Sequence, residues 1–347
     1  MTQYTLSQLG VRPAMLADLD LDTESPADLA RVTALHRDAL EVIAQDGAAR
    51  LRPRPFGKPE DRPTVGDVIV VDRALERPAR VLPRISLFKR KAAGVEAKLQ
   101  LIAANIDTGF IVSSCNADFN PARLERYLAV VREAGAGPVI LLTKADIADP
   151  APFLDAARDA AGGALVEAVN ARDAADLEKL SAWTGVGQTA ALIGSSGVGK
   201  TTLVNTLAGA VAATGGIRED DAKGRHTTRG RTMHAMASGG WIIDTPGLRE
   251  LALADVERGL AATFEDLAAL ETQCRFSDCS HQGEPGCAVA AAMEAGEIDP
   301  GRWRRFEKLK REAARNDSTF KERRDAYKAR GKLQKNLQAE HRRKKGR

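Results

Sequence analysis

The stretch TAALIGSSGVGKTTLVNTLAG, residues 189–209, constrains the fold more than any other part of the chain. An apolar run suited to a buried strand reaches Gly194, and the residues from Lys200 onward suit a helix. Between them Gly194, Ser195, Ser196, Gly197, Val198, Gly199, Lys200 and Thr201 fit G-x-x-x-x-G-K-[ST] at every position. A strand that turns through glycines into a helix predicts a parallel sheet with helices packed on it. The glycines let backbone N–H groups approach phosphate oxygens, and the helix N-terminus adds a positive dipole end. Lys200 is expected to reach the β- and γ-phosphates and to act in catalysis, Thr201 to ligate Mg2+, and Thr202 to lie in the same nucleotide contact.

A second nucleotide signal follows. The strand-like GGWIIDTPG ends in Asp244-Thr245-Pro246-Gly247. Asp244 is the expected second support for Mg2+, and Gly247, without a Cβ, can bring its amide to the γ-phosphate. A third signal comes earlier in the chain. GPVILLTKAD is a buried strand running into Thr143, Lys144, Ala145 and Asp146. A carboxylate at Asp146 can accept paired hydrogen bonds from N1–H and the 2-amino group of guanine, donors that adenine lacks. The Lys144 stem would cover the base. Thr143 stands where many guanine-reading loops carry Asn, and is expected to brace the loop more weakly. Asn170 and Ala171, in VNARD, are candidates to meet the guanine O6 through the backbone.

The base loop thus precedes the phosphate loop, the reverse of the common order. In an open sheet the ligand sits at the carboxyl ends of the strands, whatever order the chain visits them. Joining the usual termini and cutting after D-x-x-G leaves the site intact. The pattern from Leu99 onward supports that sheet: LQLIAANIDTGFIV reads as apolar strands, and NPARLERYLAVVREAG reads as a helix closed by glycine. Cys115, after the strand-like GFIVSS, reads as a small buried residue.

Upstream the texture differs. In ESPADLARVTALHRDALEVIA, Ser25 can cap, Pro26 suits a first turn and Asp28 completes a capping box. Leu29, Val32, Leu35, Leu40 and Ile43 recur at helical spacing, which predicts a packing helix. From 47 to 100 proline and arginine are frequent and TVGDVIVVDR is a strand, which predicts a small β-barrel.

Four cysteines are present, and three of them join one histidine as Cys274-x4-Cys279-x-His281-x5-Cys287. Three thiolates and an imidazole with no open position describe one structural Zn2+ site rather than a catalytic one. Charge is unevenly spread. Residues 302–347 carry 19 Lys and Arg against 6 Asp and Glu, about +13 in a chain whose total is +4, so the body is mildly acidic. A basic tail of that kind suits an anionic partner. No apolar run is long enough for a span of about 20 residues, and MTQYTLSQLG has no export pattern, so a cytoplasmic protein without a membrane partner is expected.

The segments AANID, LLTKAD, GSSGVGKTTLVN, GRHTTRG, IIDTPGLRE and CRFSDCSHQGEPGC together resemble the circularly permuted GTPases, and closely the ribosome small subunit-dependent GTPase A (RsgA) family, over roughly residues 60–310. The resemblance implies an OB-type barrel, a permuted GTPase domain and a small zinc-binding domain. The expected division is 1–46 as a helical extension, 47–100 as barrel, 101–265 as GTPase and 266–347 as zinc-binding helical domain with a basic tail. It also implies GTP hydrolysis stimulated by the ribosome, a role in late maturation of the small ribosomal subunit, and rRNA as partner, with the chain itself a monomer. An RNA-binding module with a weakly used nucleotide site is the alternative, and the intact TKAD argues against it.

Between phosphate loop and Asp244 lies GGIREDDAKGRHTTRGRTM, glycine-rich, charged and long, which predicts mobility. Thr227 or Thr228 is the candidate Mg2+ ligand there. Leu248 occupies the position where many GTPases place a water-orienting glutamine, and His226 is the candidate catalytic replacement. Arg225, Arg229 and Arg231 can contact phosphates of nucleotide or RNA.

Overall fold

The computed structural model describes residues 3–91, 99–214, 232–244 and 256–316. After a short helix, α1 (Pro13–Ala17), the capping signal at Ser25 acts, but over one turn only. Its hydroxyl accepts from the Ala27 amide at 3.2 Å and Pro26 opens a single 3-10 turn. The helix expected beyond it is absent. The chain extends into β1 (Leu29–Leu35), turns, and returns as β2 (Leu40–Ala44). The physical reason lies in the burial. Leu29 packs with Leu9, Met15, Val68 and Leu82, whereas Ala30 and Val32 pack on the opposite side with Leu40, Val42 and Ile69. A strand buried on both faces puts apolar residues at almost every position, and a spacing of three then imitates a helix.

The barrel therefore begins at Leu29 rather than at 47. β3 (Gly47–Leu51) pairs β2, β4 (Val68–Asp72) pairs the other side of β1, and β5 (Arg77–Val81) pairs β4. A hydrogen bond of 2.8 Å from the Arg52 amide to the Glu76 carbonyl joins the end of β3 to the start of β5. This closes the order 1-2-3-5-4-1 of a small OB-type barrel. The strand at Leu99 also differs from expectation. β6 (Leu87–Lys91) and β7 (Leu99–Ala104) form a separate antiparallel pair, so the α/β sheet starts only at β8 (Thr108–Ser114).

From β8 the chain runs through α2 (Pro121–Glu133), β9 (Gly137–Thr143), α3 (Ala151–Ala160), β10 (Leu165–Val169) and a short α4 (Ser181–Thr184). It continues through β11 (Thr189–Ile193), α5 (Lys200–Thr214), β12 (Thr232–Ala235) and β13 (Trp241–Asp244). The strand order is β10-β9-β8-β11-β13, all parallel. Alternate residues feed two cores. Phe110, Val112 and Leu192 meet Leu203 and Val204 of α5, while Ile111, Ile140 and Ile193 meet Leu124 and Leu128 of α2. Helices thus cover both faces of a doubly wound sheet. β12 runs antiparallel to β13 and pairs β1 at Ala34 with Thr232, so barrel and sheet form one 11-stranded network.

The AANID segment staples these parts together. The Asn105 side chain donates to the Gly66 carbonyl at 3.0 Å and accepts from the Ile85 amide at 3.0 Å. Asp107 accepts from the Thr189 amide at 2.8 Å and from Arg12 at 2.6 Å. Arg31, fully buried, donates to the Leu9 and Asn105 carbonyls and to the Thr189 hydroxyl.

The C-terminal part consists of α6 (Glu257–Thr263), α7 (Glu265–Glu271), α8 (Ala288–Glu294) and a helix at residues 300–316, here α9. α6 crosses α2 at Gly259, where any Cβ would stand 2.0 Å from the Ala129 carbonyl oxygen. α9 is clamped to α2 by Arg126 with Glu312, at 2.7 and 2.6 Å, and by Arg305 with the buried Glu125, at 3.1 and 2.8 Å. Burial pushes the Glu125 carboxyl above the usual range, and Arg305 pulls it back only in part. Arg305→Leu would strand that carboxylate. The expected loss is about 3–5 kcal/mol in denaturant titration at pH 8. A group with a raised folded pKa favours folding below its unfolded value and loses that contribution as pH rises, so the loss should shrink at pH 5. No described helix is long and apolar enough to cross a membrane.

Candidate functional site

Register places the site. In the parallel pairing Val169 lies beside Thr143, and Thr143 beside Ser114. The loops at Lys144–Asp146 and Asn170–Ala171 therefore leave neighbouring strand ends. β11 lies next to β8, and its connections run to the opposite side of the sheet from those of β8 and β9. The phosphate loop after Ile193 thus stands at the point where the winding reverses, the crevice where open α/β sheets bind ligands. Asp244 ends β13 on the far side.

The loop has the backbone its glycines predict. Gly197 and Gly199 adopt φ of 80° and 94°, values that only glycine takes without strain. Lys200 opens α5 and is buried; its ammonium folds back over the loop, donating to the Gly194 carbonyl at 2.8 Å and to the Ser195 carbonyl. Ser196 and Val198 lie in the loop before it, and Thr201 and Thr202 follow in the first turn of α5, with Thr201 exposed.

Thr143 does not brace weakly. It is fully buried, and its hydroxyl lies 2.6 Å from the Val198 carbonyl and 3.0 Å from that of Ser113. The single proton serves the shorter contact, which ties the base loop directly to the phosphate loop. Lys144 follows in a left-handed conformation, φ 63°. Asp146 is exposed on the wall of a cleft of about 450 Å³ that Ala145, Asn170 and Asp176 also line. Asp176 is a support that the sequence did not announce: it accepts from the Asn170 amide at 2.6 Å. Burial opposes its ionisation, but Lys179 and the Asn170 amide outweigh this and hold the carboxyl below the usual range. On the other side Thr206 of α5 donates to the Ala171 carbonyl at 2.8 Å. Asp146→Asn should weaken GTP binding on the order of 10²-fold, since charge-assisted bonds are lost, and should improve binding of xanthosine triphosphate in competition titration.

Next to Asp244, His234 is held below the usual imidazole range by burial, against the pull of the Asp244 carboxylate. His226, Thr227, Thr228, Gly247 and Leu248 lie outside the described residues, as does the tail from 317.

The cysteine cluster assembles as the spacing predicts. Cys274, Cys279, His281 and Cys287 offer ligand atoms all within 4.8 Å of one another. His281 Nδ1 lies 3.5 and 3.7 Å from the sulfurs of Cys274 and Cys287, which are 4.0 Å apart. Edges of that length suit a tetrahedron with metal–sulfur bonds of about 2.3 Å, and the donor set suits zinc. Support from behind fits as well. His281 Nε2 faces Glu271 at 3.6 Å, and Lys310 holds Glu271 at 2.7 and 2.8 Å, the carboxylate–imidazole arrangement that orients a metal-bound histidine. The loop is fixed by Glu284. The Ser280 hydroxyl, with the amides of Ser280 and Gln282, pulls its carboxyl down to about 2.

Comparison with known proteins agrees. The family model described as RsgA GTPase matches residues 81–254. The chain is 46% identical over 343 residues to "Small ribosomal subunit biogenesis GTPase RsgA 2" of Vibrio parahaemolyticus, covering 98% of this chain and 95% of that protein. It is 49% identical over 291 residues to "Small ribosomal subunit biogenesis GTPase RsgA" of Mesorhizobium japonicum, covering 82% and 84%. The fold is similar to that of YjeQ from Thermotoga maritima, with TM-score 0.60 and 24% identity over 81% of this chain and 96% of that one. It is also similar to that of YloQ, a circularly permuted GTPase, with TM-score 0.56 and 24% identity over 82% and 94%.

Proposed function

This chain belongs to the RsgA family of GTPases, and we propose that it is a cytoplasmic, monomeric GTP hydrolase that binds the small ribosomal subunit and its rRNA and assists late maturation of that subunit. One observation carries the nucleotide reading: the Thr143 hydroxyl joins the base loop to the phosphate loop at Val198, so the two ends of one nucleotide are read by a single braced unit. In this reading Asp146 selects guanine, with Lys144 over the base and the Asn170–Ala171 backbone at its edge. The amides from Ser195 to Thr202 cradle the phosphates, and Lys200 leaves its two loop carbonyls for the β- and γ-oxygens. Thr201 and Asp244 would hold Mg2+, with Thr227 or Thr228 joining them. Bound there with GTP, Mg2+ would supply neutralisation of the charge developing on the phosphates. Gly247 offers its amide to the γ-phosphate, and His226 orients the attacking water.

The cysteine–histidine cluster would hold one structural zinc, which supports reading the chain from 266 onward as a zinc-binding domain. The barrel also carries a cleft of about 630 Å³ in which the Arg54 guanidinium stacks 4.7 Å above the Phe56 ring, an aromatic–cation pair suited to a nucleobase, while Asp18, Glu60 and Asp61 balance Arg54, Arg80 and Arg84 on its walls. The experiment is co-sedimentation with purified small subunits. Binding is expected with a non-hydrolysable GTP analogue and should be much weaker with GDP. Equal recovery with both nucleotides, or none with either, would refute a nucleotide-timed role on the subunit.

A further inference from the structure

Helix α2 follows β8, the strand beside the phosphate loop, and its first turn lies against that loop. Asn120 caps it by accepting from the Arg123 amide, and Pro121 opens it. The Arg123 side chain then crosses 72 positions in sequence to place NH1 2.8 Å from the Ser195 hydroxyl. Ser195 also gives its carbonyl to Lys200. Among the described residues Arg123 has no carboxylate partner, although the arginine three positions on, Arg126, is paired twice. A guanidinium carries a full charge and five N–H donors, and one neutral hydroxyl satisfies little of that. The phosphate loop is where the missing anion would arrive: in the proposed reading GTP lays its phosphates along the loop that contains Ser195.

The rest of α2 fixes the helix backbone that carries this arginine while leaving its side chain able to move. Glu125 and Arg126 are locked to Arg305 and Glu312 of α9, so the helix that carries Arg123 is fixed from its outer side. The sequence supplies the need. Leu248 stands where many GTPases carry glutamine, and Lys200 and Arg123 are both described cations whose side chains reach the phosphate loop.

We propose that Arg123 is a catalytic residue, an arginine supplied by the chain itself that leaves the Ser195 hydroxyl and binds the γ-phosphate as GTP is hydrolysed. The inference rests on the GTPase reading of the site. In the step it serves, the water oxygen bonds to Pγ while the bond from Pγ to the bridging β-oxygen breaks. GDP departs with the bonding pair, and the proton lost by water ends on phosphate or solvent. Arg123 exchanges no proton; it neutralises charge that grows on the equatorial and leaving oxygens, where such an arginine is worth about 10³-fold or more.

The test compares wild type, Arg123→Ala and Ser195→Ala in subunit-stimulated single turnover, with titrations of GDP and of GDP with aluminium fluoride. Arg123→Ala is expected to lower kcat about 10³-fold, to weaken the transition-state mimic by a similar factor, and to leave GDP affinity and KM near wild type. Ser195→Ala removes the resting partner but keeps the arginine, and should retain much more of the rate. Unchanged kcat in Arg123→Ala would overturn the inference. So would GDP affinity falling in step with kcat, or equal losses in both variants, since Arg123 would then act only by shaping the loop. A wild-type chain that hydrolyses no GTP would refute the underlying reading, and this inference with it.

Discussion

Lys200→Ala is expected to lower GTP turnover on the order of 10³-fold, the scale of removing one strong donor from a developing oxyanion. The ammonium is buried at the mouth of α5, where little water competes for it. It donates to the carbonyls of Gly194 and Ser195, and a triphosphate seated in the same loop would offer charged oxygens in place of these neutral ones. Alanine keeps the helix, because its propensity is at least that of lysine. The loop backbone, set by Gly197 and Gly199, should persist. GTP binding should therefore weaken while the fold stays intact, and single-turnover hydrolysis reads the loss directly. Turnover equal to wild type would mean that this loop does not hold the reacting phosphates.

Loss of the metal should have the largest effect on stability. Cys279→Ser is expected to reduce bound zinc to well below one equivalent in elemental analysis, because a four-ligand site loses a thiolate. The consequence should spread beyond the loop. Cys287, Val289, Trp303 and Phe306 belong to the same hydrophobic core as Phe264, Leu128 and Ile111. Trp303 packs edge-on against His281 at 5.2 Å and against Phe306 at 5.7 Å. Structural zinc contributes folding free energy outright. A fall in melting temperature of about 4–7 °C follows for about 3–5 kcal/mol lost from a chain of this size. Full zinc occupancy in Cys279→Ser would remove that residue from the ligand set.

The local geometry of the candidate site was more legible than the architecture that holds it. The phosphate loop and the cysteine cluster can be read because their ligand atoms come from residues close in sequence, where spacing alone fixes geometry. The base loop could be read for the same reason, and the register of Val169 with Thr143 explains why two such loops meet. Thr143 was underrated because its partner, Val198, stands 55 positions away and is a backbone carbonyl, which no motif records. Arg123 and Asp176 escaped notice similarly. Arg31 escaped more completely, since a buried guanidinium that joins an N-terminal segment, a barrel strand and the GTPase sheet leaves no periodic trace. The N-terminal strands were misread for a different reason. Leu29 and Val32 lie three apart and are both buried, but they serve cores on opposite faces.

The central claim is that hydrolysis is coupled to the small ribosomal subunit. Leu248 cannot orient water, and in the proposed reading that role falls to His226. A subunit that binds the hydrolysis-competent state better than the others must raise its population and hence the rate. The decisive measurement is GTP turnover by the purified protein with and without small subunits, for wild type and His226→Ala. A low rate alone is expected, with strong stimulation of the wild type by subunits and loss of most of that stimulated rate in the variant, GTP affinity and subunit binding being retained. Equal stimulation of both proteins would remove His226 from the chemistry, and a wild type indifferent to small subunits would contradict the account at its centre.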